Sequence, residues 1–64
     1  MKIEKITGGN AGTYNAACFY LENRNIIPDK ILTSPNGLRY GMFKDGKKIA
    51  EYREDLQVLK IYRD

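Results

Sequence analysis

The chain has no histidine, no tryptophan, a single cysteine and two prolines among its 64 residues. Without histidine it lacks the one side chain whose ordinary pKa suits proton transfer near neutrality, and it can form no Cys–His or Ser–His pair for nucleophilic attack. That disfavours an ordinary hydrolase. The acidic residues Glu51, Glu54 and Asp55 could serve as a carboxylate pair, but they cluster at a strand end, where a solvated turn is the commoner reason for them. The expectation is a domain that binds and does not catalyse. Cys18 has no second cysteine to bridge to, and a tetrahedral zinc site lacks its four ligands. No cofactor and no small-molecule substrate are expected.

Long apolar runs are also missing. Nothing approaches the roughly 20 residues of a membrane span, and the first residues, Met-Lys-Ile-Glu-Lys-Ile, are charged and alternating, unlike a signal peptide. A cytoplasmic chain with no membrane partner is expected. Charge of one sign is scarce as well: the formal net charge is +3, and neither half of the chain forms a basic block. That balance permits an acidic partner without requiring one.

A chain this short encloses one core, so residues 1–64 read as a single small domain in which most apolar side chains are needed for burial. With neither disulfide nor metal to staple it, a homodimer is the expected source of added stability.

Lys2 to Thr7 is too short for an isolated helix and ends in Gly8-Gly9, so it reads as a short edge strand. Between Thr13 and Asn23 the apolar residues Tyr14, Ala17, Cys18 and Leu21 recur at i, i+3, i+4 and i+7, one face of a helix. Asn10 or Thr13 can cap its start, and Asn23 or Asn25 can end it in the left-handed conformation. Cys-Phe-Tyr-Leu within this stretch is also rich in β-formers, so an all-β small barrel is the alternative; the alanines and the helical spacing favour the helix. Cys18, in mid-helix on the apolar face, reads as a small buried hydrophobe and not a reactive thiol. Gly8-Gly9-Asn10-Ala11-Gly12 matches no phosphate-binding fingerprint and reads as a connector.

Pro28 interrupts the extended segment Ile26 to Thr33 and marks it as an edge or irregular strand. Ser34-Pro35-Asn36-Gly37 is a turn. Leu38 to Phe43, Ile49 to Tyr52 and Leu56 to Tyr62 then read as an antiparallel meander, with turns at Lys44-Asp45-Gly46-Lys47 and Arg53-Glu54-Asp55. The fold class is α+β: one helix on a mainly antiparallel sheet of three to five strands, in the order β-α-β-β-β-β.

The register of the hairpin decides what the sheet displays, because a slip of one residue turns every side chain of a strand over. A two-residue Asp45-Gly46 turn sets Phe43 opposite Lys48 and Arg39 opposite Tyr52, which exposes Tyr52 among cations. A three-residue loop sets Phe43 opposite Lys47 and Leu38 opposite Tyr52; it gathers Leu38, Tyr40, Met42, Ala50 and Tyr52 on one side, with Lys48 near the turn and an Arg39–Glu51 pair on the other. The second is favoured, because so small a core cannot spare Tyr52.

Three arginine–tyrosine neighbours, Arg39-Tyr40, Tyr52-Arg53 and Tyr62-Arg63, fall on separate strands. Adjacent strand residues point to opposite faces, so tyrosines in the core and arginines in solvent is the plainer reading. Two functional readings follow. The first is a protein-interaction or regulatory module with a protein partner or a second copy of itself, since Phe19, Tyr20 and Phe43 cannot all be buried. The alternative is a nucleic-acid-binding domain that uses Arg39, Phe43, Lys47, Lys48, Arg53, Lys60 and Arg63, with Phe43 or Tyr52 as a stacking platform.

Overall fold

A computed structural model describes residues 2–63, apart from the side chain of Asn10. The elements follow the expected order: β1 (Lys2–Thr7), a 3-10 turn (Gly8–Asn10), α1 (Tyr14–Glu22), β2 (Lys30–Thr33), β3 (Arg39–Lys44), β4 (Lys47–Arg53) and β5 (Val58–Arg63). The strands form one antiparallel sheet in the order β1-β5-β4-β3-β2, so the chain's first two strands are its two edges.

Residues 14–22 are a helix and not a strand because both ends are satisfied locally. The Thr13 hydroxyl accepts the Ala16 amide at 3.1 Å, which leaves one fewer unpaired donor in the first turn. At the other end Asn25 is left-handed, φ 59°, and lets the Ile26 and Asn25 amides donate back to the carbonyls of Leu21 and Glu22, a Schellman closure. The other cap named in the sequence, Asn10, has a side chain outside the described residues. Ala17 and Leu21 on the buried stripe pack with Met42, Ala50, Tyr52, Leu59 and Ile61 of the sheet. Cys18 is half-buried at the margin of this core and not within it.

The two turns that flank β3 work through special backbone. Gly37 has φ 74°, and the Asn36 side-chain carbonyl accepts from the Leu38 amide, which turns the chain from β2 into β3. Asp45 and Gly46 are both left-handed, φ 53° and 78°, the type I′ geometry whose twist suits a two-residue hairpin. The hairpin therefore starts in the two-residue-turn register, with Phe43 opposite Lys48, and not in the three-residue-loop register that core burial favours.

The ladder then shifts between Met42 and Phe43: Met42 faces Ala50, and Ile49 is the extra residue of a bulge. Beyond it Tyr40 faces Tyr52 and Arg39 faces Arg53, each displaced by two residues from the favoured pairing. A displacement of two preserves the alternation, so the faces fall as expected although the partners do not. Lys48 is the exception, since the bulge carries it to the side opposite the helix.

Tyr52 is fully buried, which removes it as a stacking platform. Its ring lies 6.0 Å from that of Tyr40 and 6.3 Å from that of Tyr14, and these two stack on each other at 4.2 Å. Burial, with the Cys18 thiol beside it, pushes the Tyr14 hydroxyl up to about 12, and burial also raises that of Tyr52. The Tyr52 hydroxyl has no hydrogen-bond partner among the described residues.

The ring and the hydroxyl of Tyr52 should therefore contribute with opposite signs. Tyr52→Ala leaves a cavity and should cost about 3–5 kcal/mol, whereas Tyr52→Phe removes a polar group buried without a partner and should leave the melting temperature unchanged or raise it. Thermal unfolding of the two variants beside the parent measures both effects; a Tyr52→Ala midpoint close to the parent's would contradict the buried ring.

Candidate functional site

Because paired residues share a face, the four strand registers define the side of the sheet away from the helix. It carries Ile3, Lys5 and Thr7 from β1, Val58, Lys60 and Tyr62 from β5, Lys48, Glu51 and Arg53 from β4, Arg39, Gly41 and Phe43 from β3, and Lys30 and Leu32 from β2. Six of these are cations and one, Glu51, is an anion. A charge balance that looks even along the chain is thus strongly uneven across the sheet.

Glu51 lies at the centre of this open face and is only 4% exposed, although no helix covers it. Long neighbouring side chains bury it: the Lys48 ammonium donates to Oε1, and Nη2 of Arg39 lies 3.6 Å from the same oxygen. Burial pushes the Glu51 carboxyl up, but the hydrogen bond and charge of Lys48 and the fields of Arg39 and Lys60 outweigh it and hold the group below its ordinary value of 4.5. Glu51 therefore works as a hub that orders two cations without neutralising the face. A second carboxylate, Asp55 on the following turn, holds Arg53 through two contacts of 3.2 and 2.7 Å and is itself held low by that arginine.

Two aromatic rings interrupt the cations. Phe43 lies down on the sheet over Gly41, where an added Cβ would stand 3.1 Å from the ring. Glycine at that position is what allows the ring to lie flat. The Phe43 ring, Leu32, Arg39 and Lys48 line a shallow cleft of about 260 Å³ beside Glu51. Lys48, the ladder partner of Phe43, also lies over Tyr62, with Nζ 5.8 Å from the ring centroid.

Of the seven residues singled out in the sequence, Arg39, Phe43, Lys48, Arg53 and Lys60 converge on this face. Lys47 and Arg63 do not: Lys47 is opposite Lys44 at the hairpin end, and Arg63, alternating to the helix side, pairs with Glu4 at 3.1 Å. Lys5 and Lys30 join the face through pairing between strands, Lys5 beside Lys60 and Lys30 beside Phe43, which no local pattern in the sequence signals. The plainer reading of the Arg–Tyr neighbours holds for Tyr40 and Tyr52 and is reversed at Tyr62, where the tyrosine faces outward. Between β1 and α1 the glycine-rich segment is a packed connector: Ala11 is fully buried and donates to the carbonyl of Gly8 at 2.9 Å.

Among the described residues no cluster of three His, Cys, Asp or Glu side chains is placed to hold a metal ion, and no helix is long and apolar enough to cross a membrane. No protein-family model, curated protein or solved structure matches this chain.

The depressed Glu51 carboxyl links stability to pH. Its stabilising contribution is complete above the ordinary carboxylate pKa and is lost as pH falls through the lower folded value. Thermal melts taken from neutral pH down through the carboxylate range should show the parent losing more stability than Glu51→Gln. At neutral pH the substitution should itself cost about 1–2 kcal/mol, a charged hydrogen bond discounted for half-exposed partners. Parallel acid profiles for the two proteins would argue against the hub.

Proposed function

We propose that this domain binds single-stranded nucleic acid across the open face of its sheet, in a binding and not a catalytic role. The observation that carries the reading is the segregation of charge: six cations and two half-buried aromatic rings share one uncovered face with a single carboxylate. Cations track phosphates, and rings lying on a sheet stack unpaired bases whatever their identity.

A duplex-reading mode has less support. A helical groove reader presents base-contacting and phosphate-contacting side chains on its helix, and α1, Tyr14–Glu22, contains no cation and one anion, Glu22. The sheet, not the helix, carries the charge. The protein-interaction reading has separate support in the exposed apolar residues Ile27, Ile31 and Leu32, gathered at the β2 edge and away from the centre of the basic face.

Anisotropy titration of labelled single-stranded oligonucleotides at about 50 mM salt should give saturable binding in the micromolar range, weakening steeply as salt is added because counterions are released. Phe43→Ala should cost about 1–3 kcal/mol of binding, the scale of one lost base stack. Lys48→Ala and Lys60→Ala should reduce both the affinity and the salt slope, whereas Arg63→Ala, on the other side of the sheet, should change little. Absence of single-strand binding at micromolar protein would overturn the reading.

A further inference from the structure

The two edges of the sheet are unlike. An outer strand presents unpaired N–H and C=O groups to solvent, and proteins commonly guard such an edge with charges, prolines or bulges. β1 is guarded, with Lys2, Glu4 and Lys5 among its six residues. β2 is Lys-Ile-Leu-Thr, exposed at all four positions, with Ile31 40% and Leu32 50% accessible. Its single charge is at the first position, and Pro28 precedes the strand without interrupting it.

The direction of the main chain follows from the turn. Ser34 donates to the carbonyl of Arg39 at 2.9 Å, so that pair is hydrogen-bonded. Pair type alternates along an antiparallel ladder, which turns the polar groups of Leu32 inward to β3 and those of Ile31 and Thr33 outward.

We propose that β2 pairs antiparallel with β2 of a second copy of this chain, about a two-fold axis through Leu32, which joins the two sheets into one. A two-fold axis normal to the sheet keeps each face continuous, so facing residues must belong to the same face and the axis must pass through a residue. An axis at Ile31 would use only that residue's outward groups within the strand. An axis at Leu32 sets each Ile31 opposite the other copy's Thr33 and engages all four outward groups of each strand.

The same register places the two Leu32 side chains against each other as a close, non-hydrogen-bonded pair. It also sets Lys30 opposite Ser34 of the second copy, so the strand's lysines do not meet. This self-complementarity is what favours a second copy over an unrelated strand. On the helix side, Ile31 borders an apolar cleft of about 220 Å³ lined by Cys18, Leu21, Ile26, Ile27 and Pro28. Ile27 there is 57% exposed, and pairing brings the second copy's edge against that rim.

Four residues a side make a smaller contact than a permanent interface, so the dimer should dissociate on dilution. Its two basic faces would run together across the Leu32 pair, but the pairing does not depend on the nucleic-acid reading and is tested without any ligand.

Sedimentation velocity over a concentration series should show the mean mass of the parent rising toward twice the monomer. Thr33→Pro removes an outward amide that β3 does not use, so it should keep the native β-sheet circular dichroism and stay monomeric throughout. In a Cys18→Ala background, Leu32→Cys should form a disulfide-linked dimer on mild oxidation, and Ile31→Cys, which faces Thr33 and not its own copy, should do so far more slowly. A parent that stays monomeric, an association that Thr33→Pro leaves intact, or equal cross-linking at positions 31 and 32 would each overturn the proposal.

Discussion

Everything distinctive about this domain depends on a one-residue mismatch in the β3–β4 hairpin. The Asp45-Gly46 turn, with both residues left-handed, imposes the register that by itself would turn Tyr52 out of the core. The bulge at Ile49 absorbs one residue and reverses that outcome, so the strand enters the turn in one register and leaves it in another. The burial of Tyr52 and Ala50 requires the shift, and the twist of a two-residue turn requires the register before it. The two demands are met together only with an extra residue between them.

The same shift builds the open face. The turn register sets Lys48 opposite Phe43, and the bulge beyond it brings Glu51 onto the same face, so that one carboxylate orders cations from two strands. Because Glu51 is held ionised by Lys48, Arg39 and Lys60 together, the cations around it are spread across the face and its net positive charge is retained. Phe43 lies flat only because Gly41 next to it has no side chain. Rigid rings and ordered cations present a ligand with a surface whose ordering entropy is partly spent already on folding.

The sheet edges show how little a small domain can hide. Its one helix covers the central strands β3, β4 and β5, and the residues of β2 remain exposed on both faces. Ile31 and Leu32, on opposite faces of that edge strand, stay 40% and 50% exposed.

Much of the fold was legible in the sequence. The 3.6-residue spacing of Tyr14, Ala17, Cys18 and Leu21, the Thr13 cap and the Asn25 terminus are local signals, read within one turn of the chain, and they place α1. Ser34 to Gly37 and Asp45-Gly46 place the turns for the same reason, and Pro28 marks β2 as an edge. Alternation within a strand is local too and puts Arg39 and Phe43 on one face, but Lys48 shares that face with Glu51 and Arg53 only through the bulge. Tertiary structure alone decided the pairing across strands. The bulge at Ile49 arises from a conflict between turn twist and core burial, and no propensity of Ile49 announces it. Lys5 and Lys30 join Lys60 and Phe43 through ladders that link residues far apart in the chain, and no local pattern encodes such a pairing. The full charge of the open face is thus a property of the sheet, and a sequence whose cations and anions are nearly balanced along its length shows only part of it.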